Sequence, residues 1–268
     1  MVVKTLLTLI VAAALLVVGV VWYYQPERVM RAVGRDTAEE EPADDAWLDH
    51  LYSQNTRDAA EAVRHVEMLG EKAVPIIQAT LADSGSDREH RKAALKASGI
   101  LGEVAAPAIP LVASELTKPE LTAEAALALS FMGREAFAPL RDALTSDDPV
   151  VRREALRSIG KLKERAPLDT KAVLPLLLGG LKDPDSGVRA VAATYLGIIH
   201  EGAEAAVPAL VAALQDPDVE VRRASAEALG SFGAQAESAL PALRKASSDK
   251  DPEVAREAGL AIVKLQSK

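Results

Sequence analysis

The sequence predicts an all-α solenoid of stacked helical hairpins, preceded by one membrane-spanning helix. Three observations carry this reading. A hairpin of roughly thirty residues, clearest at residues 207–233, recurs along the chain. Prolines and glycines mark its parts at matching intervals. Near the N-terminus, twenty consecutive residues, 5–24, carry no charge.

The hairpin begins with Val207, Leu210, Val211 and Leu214 at i, i+3, i+4 and i+7, which line one face of a helix. Asp216-Pro217-Asp218 breaks the pattern, because proline cannot donate a helical hydrogen bond but fits a first turn, with Asp216 as the predicted cap. The second helix carries Val221, Ala224, Ala228 and Leu229 on one side and is predicted to run out at Gly230 to Gly233.

Two sets of markers keep step with this unit. Proline near the start of the first helix stands at Pro75, Pro110, Pro139, Pro175, Pro208 and Pro241, and the glycine predicted to end the second helix at Gly70, Gly102, Gly133, Gly160, Gly197 and Gly230. Between them an Asp-Pro turn falls at Asp148-Pro149, Asp183-Pro184, Asp216-Pro217 and Asp251-Pro252, followed by Arg152, Arg189, Arg222 and Arg256. One hairpin cannot cover its own apolar face, whereas stacked neighbours bury a continuous core.

The pattern VPxLxxxLxDPDxxVRxxAxxALG, as it stands in residues 207–230, resembles the HEAT repeat family in its short bacterial, phycobilin-lyase-type form. The resemblance covers about residues 47–268 and is specific for fold, not for function. In that family the turn aspartate and the second-helix arginine pair within and between repeats. Carried over, this implies Asp183 with Arg189, Asp216 with Arg222, and Asp251 with Arg256, as structural pairs.

In chain order, residues 5–24, rising ~1.5 Å each, match a hydrocarbon core of ~30 Å. Trp22, Tyr23 and Tyr24 sit where amphipathic rings favour the headgroup level. No clear small-x-small cleavage site follows, so an uncleaved anchor is expected rather than a signal peptide. Lys4 before the run competes with Arg28, Arg31 and Arg35 after it for the positive-inside side. The short basic start favours a signal-anchor in a bacterial inner membrane, with the repeats extracytoplasmic. Residues 25–46, passing from basic to acidic with few large apolar side chains, read as a linker.

The array opens with a capping repeat at 47–70, in which Thr56 is a predicted helix cap. About six repeats follow, near 73–102, 108–133, 137–162, 172–199, 206–233 and 239–266. In the unit 108–133, Lys118-Pro119-Glu120 replaces the Asp-Pro turn and Glu124 stands near the arginine position, so the ladder is expected to be interrupted there. Residues 161–171 form a longer, more charged joint.

Residues 1–35 hold four basic residues and one acidic, a balance of +3, so the net −8 leaves −11 on residues 36–268. That acidity opposes nucleic-acid binding. The chain lacks cysteine and any glycine-rich phosphate loop, and its histidines are His50, His65, His90 and His200. Deoxyhypusine hydroxylases of this repeat class bind two irons through several His-Glu pairs. Here only His200-Glu201 has that order, Glu89-His90 being reversed, which is too few for such a centre. A phycobilin lyase-like or hydroxylase-like enzyme is therefore the alternative, and a non-catalytic scaffold without cofactor the expectation. Its partner is a protein, met at charged second-helix positions: Arg153, Glu220, Arg223 and Glu227.

Overall fold

The computed structural model describes residues 45–267. The expected anchor at 5–24 and nearly all of the linker lie outside them. Among the described residues the chain forms fourteen α-helices joined by turns and short 3-10 segments. They pair into seven hairpins: α1 Trp47–His50 with α2 Thr56–Leu69, α3 Ala73–Ala82 with α4 Arg88–Leu101, α5 Ile109–Ser114 with α6 Thr122–Leu129, α7 Phe137–Ala143 with α8 Pro149–Arg165, α9 Thr170–Gly180 with α10 Ser186–Ile199, α11 Ala203–Ala213 with α12 Val219–Ser231, and α13 Leu240–Ala246 with α14 Pro252–Gln266.

Each even helix packs on the next, from α2 to α14, and this row is more closely packed than the row of odd helices. One apolar core runs from Trp47 and Leu51 to Leu265, filled mainly by Leu, Ala, Val and Ile, as stacking of incomplete hairpins requires. Arg88–Thr117, long and apolar enough by composition to cross a membrane, is split between two repeats here: α4 ends at Gly102, whose φ of 59° turns the chain into a 3-10 segment before α5.

Caps set where the second helices begin. Asn55, Asp87, Asp148, Asp185, Asp218 and Asp251 each accept a hydrogen bond from a backbone N–H of the first helical turn. Two expected caps are therefore displaced. Thr56 is the first helical residue behind Asn55. Asp216 lies two residues before the true cap and accepts from the N–H of Asp218, as Asp183 and Asp249 accept from Asp185 and Asp251. The two kinds of Asp-Pro are thus distinct: Pro149 and Pro252 open a helix, whereas Pro184 and Pro217 sit in the turn ahead of the cap.

The glycines fall into two rows rather than the one expected. Gly70, Gly102, Gly133 and Gly233 occupy the left-handed region at or just after helix ends. Gly160, Gly197 and Gly230 are inside α8, α10 and α12 and end nothing. They let the even helices close on one another. A Cβ on Gly197 would lie 2.6 Å from the Cα of Ala228, one on Gly230 3.2 Å from that of Ala261, and one on Gly160 2.1 Å from the Tyr195 ring. The rows were indistinguishable by interval alone, since both recur once per repeat.

Candidate partner-binding face

A ladder of arginines fastens repeat to repeat behind the exposed surface. Arg152 of α8 donates through Nε and Nη2 to both carboxylate oxygens of Asp183 (2.8 and 2.7 Å), and its Nη1 bonds the carbonyls of Ser146 and Asp147. Arg189 repeats this with Asp216 (2.8 and 2.9 Å), and Arg222 with Asp249 (2.9 and 3.1 Å). The carboxylate partners thus differ from those the family resemblance implied. Each arginine gives its own turn only carbonyl contacts, Arg189 to Asp183 and Pro184, Arg222 to Asp216 and Pro217, and sends its fork to the aspartate of the following repeat. The fork is planar and bidentate, so one side chain can bridge two turns.

Asp251 and Arg256 are outside the ladder. Asp251 caps α14, and Arg256, exposed, pairs with Glu253 (2.7 Å) and Glu257 (2.9 Å) on its own helix. Counting from the caps explains this. Arg152, Arg189 and Arg222 stand four residues after theirs, and in α14 that place belongs to Ala255. The same count exposes a member missed in the sequence, Arg91, four residues after Asp87. It reaches buried Glu115 of the next repeat at 2.8 Å and also bonds the carbonyls of Leu81, Ser86 and Asp83.

The ladder stops in the third repeat. Thr122, buried, takes the arginine's place and donates to the carbonyls of Leu116 and Lys118, but it is too short to reach the fourth repeat. Glu124, expected near that place, instead faces Lys92 at 3.8 Å. Hydrogen bonds from Arg152 and Arg222 hold the carboxyls of Asp183 and Asp249 below the usual carboxylate range.

The four predicted contact residues do not form one site. Glu220, Arg223 and Glu227 make a network along α12, with Arg223 3.0 Å from Glu220 and 3.3 Å from Glu227. Arg153 stands on α8, two repeats earlier, 3.3 Å from Glu154. All four are paired within their own helices, Arg223 at the i, i+3 and i, i+4 spacings that bring side chains together and Arg153 with its immediate neighbour.

The surface that sequence reasoning missed is apolar. A trough of about 410 Å³ runs across α2, α4 and α6, lined by Tyr52, Val63, Glu67, Leu95, Lys96, Gly99, Ile100, Glu124, Leu127, Ala128 and Phe131. Tyr52, Leu127 and Phe131 are each at least 40% exposed, unlike core side chains of their size. Lys96 holds one end by donating to the carbonyl of Leu51 (2.5 Å) with its ammonium 4.6 Å from the Tyr52 ring. At the other end the guanidinium of Arg165 lies 4.3 Å from the Phe131 ring. The available signal was outward-facing apolar residues counted from each cap, which the 3.6-residue period alone does not separate from core positions.

Two of the histidines make structural contacts. His90 bridges Asp87 (2.9 Å) and Asp49 of α1 (3.1 Å), and its pKa is raised, chiefly by the Asp87 hydrogen bond. His200 occupies the left-handed position at the end of α10 that glycine takes elsewhere, with Nδ1 2.9 Å from the carbonyl of Ile198. Its neighbour Glu201 turns to Thr170 and Lys163. Among the described residues no three His, Cys, Asp or Glu side chains are grouped to hold a metal ion.

No curated protein sequence matches the chain. Importin beta has a similar fold at 16% identity and a TM-score of 0.58, over 81% of this chain and 33% of its own. The YibA protein of Escherichia coli is 18% identical with a TM-score of 0.50, over 84% of this chain and 93% of its own. Human deoxyhypusine hydroxylase, solved in complex with glycerol, is 20% identical over 84% of this chain and 85% of its own, at a TM-score of 0.40 that bears no argument about chemistry. At these identities the likeness speaks for fold alone. The pattern of HEAT repeats matches residues 109–197, 138–230 and 174–263, together more than half of the chain, and coincides with the stacked hairpins described above. The chain belongs to the HEAT repeat family.

Proposed function

We propose that this protein is a non-catalytic scaffold, anchored in a membrane by residues 5–24, that holds another protein against the second-helix face of its repeats. The observation that carries the proposal is where large apolar side chains reach solvent. Among the described residues they are Tyr52, Met68, Val104, Leu127, Phe131, Val150, Ile198, Leu260 and Val263. Not one lies on the first helices α3, α5, α7, α9, α11 or α13. Six of the nine lie on the second helices α2, α6, α8, α10 and α14, and the other three in the turns and 3-10 segments between helices. A row of exposed apolar side chains marks a binding face, and proteins of this repeat class bind partners over such extended surfaces.

The twenty uncharged residues at 5–24 and the short basic start support an anchor in a bacterial inner membrane, with the repeats extracytoplasmic. Photo-crosslinking amino acids placed in cells at Ile198 and Leu260, and at Arg244 on the first helix α13, test the scaffold reading. The expected result is a reproducible protein adduct from Ile198 and Leu260 and none from Arg244. Equal adducts from all three, or adducts from Arg244 alone, would overturn it. Protease added after the outer envelope is opened tests orientation: digestion of the repeats is expected, and protection would place them in the cytoplasm.

A further inference from the structure

The proposal here rests on the scaffold reading and deepens it. The trough between Tyr52 and Phe131 has a cation at each end. Lys96 lies over the Tyr52 ring with its ammonium already donated to the Leu51 carbonyl, Glu67 lines the trough from α2, and Glu124 is answered by Lys92 at 3.8 Å. Beyond Phe131 stand Lys161 and Arg165, one helical turn apart on α8, and neither makes an ion pair among the described residues. Their neighbour Arg157, by contrast, is held by Glu154 at 3.0 Å. The Arg165 guanidinium lies over the Phe131 ring at 4.3 Å, a contact that keeps the cation beside the trough.

We propose that this trough receives an apolar segment of a partner protein that also carries acidic side chains, with a carboxylate seated on Arg165 and Lys161. The occupant follows from charge complementarity. Although residues 36–268 carry −11, charges more than ~8 Å away are screened at physiological salt, so the two unpaired cations beside the trough decide the match at contact. Leucine-like side chains of the segment fill the space between Tyr52 and Leu127 and remove exposed apolar area from water.

The test selects random linear peptides on the full chain in detergent micelles, then measures binding of the enriched peptides by fluorescence anisotropy. Enriched sequences are expected to combine large apolar with acidic residues. Leu127→Asp is expected to weaken binding about tenfold or more, and Arg165→Glu about fivefold. Both positions are on the surface, and an unchanged thermal melt by circular dichroism verifies that the fold is intact. Changing the peptide's acidic residues to lysine is expected to restore binding to Arg165→Glu, a gain that damage to the fold would not produce. Basic peptides, or peptides binding both variants as well as the unaltered chain, would overturn the trough assignment while leaving the scaffold reading in place. Failure to enrich any peptide, together with no adduct at Ile198 or Leu260, would overturn both. A chain that dimerises through Leu127, seen by light scattering, would overturn the partner assignment in favour of a second copy.

Discussion

The fourth to seventh repeats and the first three are built from the same hairpin but fastened differently. In the later repeats, arginine forks at 152, 189 and 222 cross each joint, Gly197 and Gly230 face the backbone of the next even helix, and Gly160 makes room for the Tyr195 ring. In the earlier ones, the polar ladder has a single rung, Arg91 to Glu115, and ends at Thr122. There Gly99 is looser too, since a Cβ on it would rest 3.5 Å from the Cα of Ala128, an ordinary contact. This looser half holds the apolar trough. The comparison teaches that close packing of even helices leaves apolar side chains such as Ile198 and Leu260 exposed only singly, whereas wider spacing opens a trough between helices.

The sharpest way to break the comparison is to cut a rung. Arg189→Ala leaves the carboxylate of Asp216, largely buried, without its bidentate partner, and is expected to cost about 3 kcal/mol. Arg256→Ala, on a pair about 60% exposed on both sides, is expected to change stability by less than about 0.5 kcal/mol. Urea unfolding of the two variants measures this difference, and equal costs would remove the distinction between ladder and surface pairs.

The glycine rows provide a smaller test of opposite sign at the two ends. Gly197→Ala forces a methyl to 2.6 Å from the Cα of Ala228, and overpacking is expected to cost about 2 kcal/mol. Gly99→Ala has room and removes a helix-interior glycine, so a gain of about 0.5–1 kcal/mol is expected. Thermal melts of the matched pair decide whether the closer approach in the later repeats is real.

The smallest effect is in pH, and its sign also differs between the halves. Asp183 and Asp249 have folded pKa values below the ordinary one, held there by Arg152 and Arg222. Their stabilisation is complete above about pH 4, the unfolded value, and is lost as pH falls through the folded values. His90 is raised instead, first by its hydrogen bond to Asp87. Its contribution is complete below about pH 6.5 and is lost as pH rises through the folded value. Acid should loosen the joints after α8, whereas mild base should loosen α1, which Asp49 ties to His90. Peptide-resolved hydrogen exchange across pH checks both.

The repeat was legible because proline, glycine and apolar spacing all recur with one period, and that period is what stacking needs. Details inside the period were not. Asp183 lies six residues from Arg189, whereas Asp216 lies 27 away, so a linear reading favours the local pair although the fork points onward. Asp251 and Asp216 look alike beside proline, but only counting from the cap shows that Asp249 is the equivalent of Asp216. Leu127 and Phe131 are core-like by residue type, yet both are exposed, Leu127 on the short α6 and Phe131 just after it. Charge drew attention to Arg153 and Arg223, which satisfy themselves, and away from Arg165, whose neighbour is an aromatic ring thirty-four residues back.

The account's central claim, that the later repeats are fastened and the earlier ones spaced to leave a trough, is tested most directly by hydrogen–deuterium exchange of the full chain in detergent micelles, resolved by peptide mass spectrometry. The account predicts slower exchange in α8, α10 and α12 than in α2, α4 and α6, because backbone protection reports local stability. Equal exchange in the two sets, or slower exchange in the earlier repeats, would contradict it.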